Sequence, residues 1–238
     1  EELTHIPANT TFDTIFFGGG TPTMLPVDFW DKWKEILLGQ FALSHHYEWT
    51  VEANPETITV DLAQALAAAG VNRVSLGVQS FVPESLHTLE RRHDPESVPR
   101  AVEILRSAKI DRVSLDLIFG VPGQDLDGVG HDISKAMALE PDHLSVYGLI
   151  YEPNTALTKR RDLGLVQPCE QEFEADAYEL VVSELQAAGL HRYEVSNFAL
   201  PGEECRHNMK YWQNDAWWAL GPSASGQFLG ARWKNQPR

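Results

Sequence analysis

Apolar residues recur along this chain with two periods, and the periods alternate. Over residues 62–76, LAQALAAAGVNRVSL, apolar side chains fall three and four apart, then every second position once Gly70 has passed. The switch is repeated at 101–115, AVEILRSAKIDRVSL, and at 180–195, LVVSELQAAGLHRYEV. Each reads as an amphipathic helix, a short turn and a strand. Asn72-Arg73-Val74-Ser75-Leu76 and Asp111-Arg112-Val113-Ser114-Leu115 are nearly one word. A weaker echo, Asp142-His143-Leu144-Ser145-Val146-Tyr147, follows the helical stretch DISKAMALEP. Strands are predicted near 13–17, 47–53, 73–79, 112–118, 143–149 and 192–196, and their alternation with helices predicts parallel βαβ units.

The two faces of these strands differ. One carries Val51, then Val74, Leu76 and Val78, then Val113, Leu115 and Leu117, then Leu144 and Val146, the set that helices would cover. The other carries Thr50 and Glu52, Ser75 and Gln79, Ser114 and Asp116, Ser145 and Tyr147. A sheet covered by helices on both faces should be apolar on both, because buried polar groups without partners are costly. A polar second face predicts a hollow that holds water or ligand. The expected fold is therefore α/β, a partial (β/α) TIM-like barrel with a binding interior, rather than a packed barrel or a doubly wound sheet.

Composition narrows the function. The 238 residues suffice for one sizeable core, and no linker or charge block divides residues 1–238, so a single barrel domain is expected. The formal net charge is -15, and it stays negative with all 9 His protonated, which argues against a nucleic-acid partner. No stretch reaches the roughly 18 uninterrupted apolar residues of a membrane helix, so no membrane role is implied. With two cysteines, Cys169 and Cys205, and no secretory signal, a reducing cytoplasm is the expected location. The chain opens at Glu1 without Met and reads as a fragment.

Three features could carry chemistry. An apolar strand runs into Gly18-Gly19-Gly20-Thr21-Pro22, where glycines would let backbone N–H groups approach a carboxylate, amino group or phosphate; a plain tight turn is the alternative. It is neither a dinucleotide fingerprint nor a P-loop. Polar residues also recur at the ends of successive strands: Gly18 to Thr21, Glu52 and Asn54, Gln79, Asp116, Tyr147 and Asn197. That rim is where α/β barrels build sites. Asp116 must there either pair with Arg91, Arg92 or Arg112 or bind a ligand, and Glu52 could be half of an ion pair. Finally, His207 and Tyr211 in Cys-Arg-His-Asn-Met-Lys-Tyr-Trp at 205–212 share a helix face, an imidazole beside an aromatic plate. Cys169 and Cys205 are far apart, lack Cys-x-x-Cys spacing and cannot build a cluster site by themselves.

Five ordered motifs carry a resemblance: Phe-Phe-Gly-Gly-Gly-Thr-Pro at 16–22, Val-Glu-Ala-Asn-Pro at 51–55, Ser-Leu-Gly-Val-Gln-Ser-Phe at 75–81, Leu-Glu-Arg-Arg-His at 89–93 and Leu-Asp-Leu-Ile-Phe-Gly-Val-Pro-Gly-Gln at 115–124. With them the chain resembles the radical S-adenosylmethionine (SAM) proteins related to oxygen-independent coproporphyrinogen III oxidase. Cys-Arg-His-Asn-x-x-Tyr-Trp at 205–212 points within that family to its heme-chaperone branch. The resemblance implies a partial barrel with a [4Fe-4S] cluster and SAM at its rim. It implies that Gly19, Gly20 and Thr21 line the methionine end of SAM, with Glu52, Gln79, Arg91 and Asp116 completing the contacts. His207 and Tyr211 become candidate heme contacts, and heme-acceptor proteins the expected partners. The family's Cys-x-x-x-Cys-x-x-Cys is not in this sequence, so no cluster ligand is assigned, and a cluster-binding segment is expected outside the fragment, as is the small C-terminal domain of relatives. Two other readings stay open: an oxidase decarboxylating coproporphyrinogen III, and a non-radical α/β enzyme binding another small anion.

Overall fold

The computed structural model describes residues 2–7, 9–91 and 93–237. Strand β1 (Thr11–Phe17) leads through the glycine run to α1 (Val27–Leu38), then β2 (Ala42–Ala53), α2 (Val60–Ala69) and β3 (Arg73–Gln79). Helices α3 (Pro83–Thr88) and α4 (Ser97–Ser107) precede β4 (Arg112–Phe119), which α5 (Leu126–Met137) joins to β5 (His143–Gly148). Then come α6 (Ala156–Asp162), α7 (Gln171–Ala187), β6 (His191–Arg192), β7 (Asn197–Ala199), α8 (Arg206–Trp212) and the hairpin strands β8 (Ser225–Phe228) and β9 (Ala231–Lys234). The main sheet runs β1-β2-β3-β4-β5-β7-β6, its first five strands parallel, as a half-barrel.

Local chemistry sets the boundaries. The Thr59 hydroxyl caps α2 by accepting from Leu62 N, and Gly70, left-handed at φ 107°, ends it with Val71 N bonded back to Leu66 O. The Asp125 carboxylate caps α5 by accepting from Gly128 N at 2.8 Å. The apolar faces of α2, α4, α5 and α7 cover the outer face of the sheet. The alternation bears this out: Val51, Val74, Leu76, Val78, Val113, Leu115, Leu117, Leu144 and Val146 are all buried.

The sixth strand departs from expectation. Residues 192–196 do not form a further parallel strand. β6 is two residues long, and β7 inserts between it and β5, antiparallel to both. The Glu194 carboxylate explains the turn: it accepts from Ser196 N at 3.0 Å and from the Asn197 amide, drawing the chain into a tight reversal. Trp217, Trp218 and Trp233 belong to a separate small layer around β8 and β9, where Trp218 packs edge-on against Phe228 and Trp233.

Candidate functional site

Because parallel strands register side by side, the inner face of the half-barrel is tiered. Thr50 pairs with Arg73 and Arg73 with Arg112; above them run Glu52, Ser75, Ser114 and His143, and above these Gly77, Asp116, Ser145 and Asn197. The lowest tier is a sealed floor. Glu48 is fully buried, with Arg112 Nη1 at 3.3 Å and Arg73 Nη1 at 3.6 Å, and Arg112 Nε also reaches Glu203 Oε2 at 2.5 Å. Glu48 Oε1 accepts from His207 N at 3.1 Å, which fastens the start of α8 to the floor.

Asp116 stands in the upper tier. Ser75 Oγ lies 2.9 and 3.1 Å from its two oxygens, and burial, opposed by the Ser145 and Ser75 hydroxyls, pushes its carboxyl up to about 6. Among the described residues Asp116 makes no ion pair. Of the arginines the sequence offered, Arg112 is engaged at the floor and Arg91 is exposed, while Arg92 lies outside the described residues. Glu52 likewise is no ion-pair member among the described residues. Its Oε2 accepts from Gly19 N at 2.9 Å, and burial raises its carboxyl. Glu52 thereby ties β2 to the glycine loop.

That loop is left-handed at Gly19 (φ 80°) and Gly20 (φ 74°), where nothing would crowd an added Cβ. Gly18 differs: a Cβ there would lie 2.7 Å from the Phe16 ring and 2.9 Å from the Glu52 carboxylate. Thr21 Oγ1 accepts from Asn54 Nδ2 at 3.3 Å, joining the loop to the end of β2. Gln79 ends β3 after a bulge, itself left-handed at φ 67°. A Cβ on Gly77 would meet Gln79 Nε2 at 3.1 Å and Asn54 Oδ1 at 3.6 Å, so this glycine leaves a cradle between those amides next to Asp116. Gly19, Gly20, Thr21, Glu52, Gln79 and Asp116 thus share one rim; Arg91 is exposed just after α3.

His207 and Tyr211 sit on α8, beside β1. The His207 ring stacks on Phe16 at 5.0 Å, its Nδ1 meets Thr14 Oγ1 at 2.9 Å, and its Nε2 meets Tyr211 Oη at 2.8 Å. Burial lowers this imidazole to about 4, so it is neutral at physiological pH, with both nitrogens engaged. Tyr211 and Trp212 keep exposed faces. Two clusters were not foreseen. The floor had a signal: Arg73 and Arg112 occupy the same inward-facing place in the two repeated words, and Glu48 shares their parity with Thr50 and Glu52. Asp132, buried on α5, had one too, as a carboxylate amid the apolar stripe of Val129, Ile133 and Ala136.

A half-barrel with a polar inner face, and a glycine loop where its parallel strands end, is an α/β architecture that builds sites at that rim. The family model described as "Radical SAM superfamily" matches residues 1–136, and the chain belongs to that superfamily. It is 40% identical over 226 residues to the protein named heme chaperone HemW of Bacillus subtilis, covering 93% of this chain and 59% of that protein. It is 37% identical over 216 residues to the HemW of Escherichia coli, covering 90% and 56%. A mitochondrial radical S-adenosyl methionine domain-containing protein 1 of Mus musculus is 34% identical, covering 91% and 49%. The chain therefore spans under two thirds of these relatives. Among solved structures, the coproporphyrinogen III oxidase HemN of Escherichia coli superposes with a TM-score of 0.82 at 22% identity, over 96% of this chain and 55% of that one, a likeness of fold.

Membership implies SAM and a [4Fe-4S] cluster, and the residues present suit the two differently. SAM presents an amino acid, a sulfonium cation and ribose hydroxyls. The rim meets these with two carboxylates, an open glycine loop and the Gly77 cradle. Among the described residues, Asn197 Oδ1 in the upper tier is also buried without a hydrogen-bond partner. The cluster finds no ligand set: among the described residues no three His, Cys, Asp or Glu side chains converge. Cys205 is buried against Glu48 with its thiol pushed up to about 11, and Cys169 donates to Val121 O.

Proposed function

We propose that this chain is the SAM-binding barrel of a heme chaperone, a protein that binds heme and passes it to acceptor proteins. The observation that carries the reading is the similarity to proteins named heme chaperone HemW over at least nine tenths of this chain, including the 205–212 stretch. Similarity to HemN is one of fold.

In this reading the glycine loop and Glu52 take the methionine end of SAM. Glu52, already fixed by Gly19 N, accepts from the ammonium, and Arg91 on the neighbouring excursion faces the carboxylate, a charge-assisted contact. Thr21, held by Asn54, fixes the lip. Asp116 accepts from ribose hydroxyls, held by Ser75, and Gln79 lies over the Gly77 cradle to contact the nucleoside. The superfamily's cluster supplies one-electron chemistry to SAM when bound, and the described residues offer no ligand set to hold it. No helix among the described residues is long and apolar enough to cross a membrane. A cytoplasmic location goes with this reading on the strength of its two free cysteines.

Heme would dock on α8, whose exposed Tyr211 and Trp212 offer an aromatic plate. His207 contacts it once Tyr211 Oη releases Nε2. The test is titration of the chain with hemin, followed by incubation with an apo-hemoprotein. A 1:1 complex whose absorption shifts on His207→Ala, and whose heme passes to the acceptor, is expected. Turnover of coproporphyrinogen III by a longer form of the protein, without heme transfer, would overturn the reading in favour of the oxidase.

A further inference from the structure

Behind the rim, one buried carboxylate gathers the turns that follow two adjacent strands. Asp132 on α5 is 3% exposed. Its Oδ1 accepts from Phe81 N at 2.6 Å and Ser80 Oγ at 3.0 Å, and its Oδ2 from the same hydroxyl at 2.8 Å and from Gln124 Nε2 at 3.5 Å. Gln124 Oε1 in turn accepts from Gly120 N at 3.0 Å and Val121 N at 3.3 Å. The β3–α3 and β4–α5 turns therefore hang from a single side chain. It forms no salt bridge among the described residues; Phe81 N–H and the Ser80 hydroxyl do most to offset its burial, with His131 adding a smaller charge interaction.

The first of these turns is strained. Ser80 N donates to Val78 O over 2.8 Å across Gln79, whose φ is 67°, which is the rare γ-turn with a left-handed centre. Glutamine gains nothing from that conformation, and strain of this kind persists only where the surroundings over-determine it. Here the surroundings are Asp132, Ser80 Oγ accepting from Val82 N at 3.0 Å, and the His93 ring bonded to Val78 O at 3.0 Å. The result is that Gln79 folds back over Gly77, beside Asp116.

We propose that Asp132 is a positioning residue for the cofactor: it holds the Gln79 turn and the β4–α5 turn in one register, so that Gln79 and Asp116 face the same cradle. This rests on the reading of the rim as the SAM site. Asparagine at 132 would turn an amide donor towards a donor already there. Gln124 could answer only by flipping and abandoning Gly120 N and Val121 N.

The experiment is equilibrium dialysis of radiolabelled SAM against the chain and four variants: Asp132→Asn, Val129→Ala, Gln79→Gly and Asp132→Asn with Gln79→Gly. Val129 is buried on the same helix and serves as a control for general destabilisation. Asp132→Asn should weaken SAM about tenfold or more and Val129→Ala less than twofold. In the Gln79→Gly background, where neither strain nor side chain remains, Asp132→Asn should cost less than threefold, a coupling that mere destabilisation does not produce. Equal affinity for Asp132→Asn and the parent, or an undiminished loss in the Gln79→Gly background, overturns the inference while leaving the SAM site standing. A parent that takes up no SAM overturns the site itself, and the inference with it. Should Asp132→Asn fail to fold, Ser80→Ala removes one anchor and carries the same test: SAM about threefold weaker or more is expected, and unchanged affinity overturns the inference.

Discussion

At the residue scale, the rim keeps a carboxylate where folding alone would not place one. Asp116 has its pKa raised by burial from 3.8 to about 6, so its charged form is the disfavoured one in the folded chain. The folded state then holds the proton more tightly than the unfolded state, and stability falls as pH rises through the window from 3.8 to about 6. Asp116→Asn, still within reach of Ser75, should raise the unfolding free energy at pH 7.5 by about 1–2 kcal/mol, and that gain should vanish towards pH 4. Urea denaturation of both proteins at the two pH values checks it; equal stability at pH 7.5 would show that the hollow solvates Asp116 better than its burial implies. The sequence made this residue legible, since an aspartate inside Val-Ser-Leu-Asp-Leu-Ile-Phe must face something polar. Its partner was not legible, because Ser75 lies 41 positions away and becomes its neighbour only through register.

At the element scale, each parallel strand delivers its last inward residues to the rim, and the turns after the strands decide how those residues point. Gly18 shows how narrow the tolerance is. A Cβ at 2.7 Å from Phe16 and 2.9 Å from Glu52 must displace one of them, so Gly18→Ala should destabilise by about 1–3 kcal/mol and detach Glu52 from Gly19 N. Thermal unfolding together with SAM dialysis reads both effects; loss of stability with unchanged SAM binding would remove Glu52 from the site. Five of the six predicted strands were legible, four because their two faces differ so sharply in polarity and the first as an apolar run into glycines. The sixth was not. Tyr193-Glu194-Val195 alternates like a strand, yet Glu194 bonds its own neighbours at Ser196 and Asn197 and turns the chain back. Periodicity carries no information about a side chain that competes for the backbone.

At the scale of the whole molecule, the half-barrel is closed below by charge and left open above. Glu48, Arg73, Arg112 and Glu203 seal the floor, and the same Glu48 anchors α8 through His207 N. Removing one member of a buried ion network leaves the others uncompensated, so Glu48→Gln should destabilise by roughly 3–5 kcal/mol. It should also free α8, visible as faster amide hydrogen exchange over 206–212; slow exchange there would mean that the Phe16 and Thr14 contacts of His207 suffice. The repeated arginine of the two sequence words signalled this floor, but pairing it with Glu48 requires the sheet. The half-barrel itself was legible from the strand–helix alternation together with the polar second face.

The most direct measurement is a crystal structure of the chain grown with SAM. The methionine end should lie against Gly18–Gly20 and Glu52, with the ribose hydroxyls on Asp116 and the nucleoside over Gly77. SAM bound elsewhere on the molecule, with the rim side chains unmoved and solvated, would contradict the assignment.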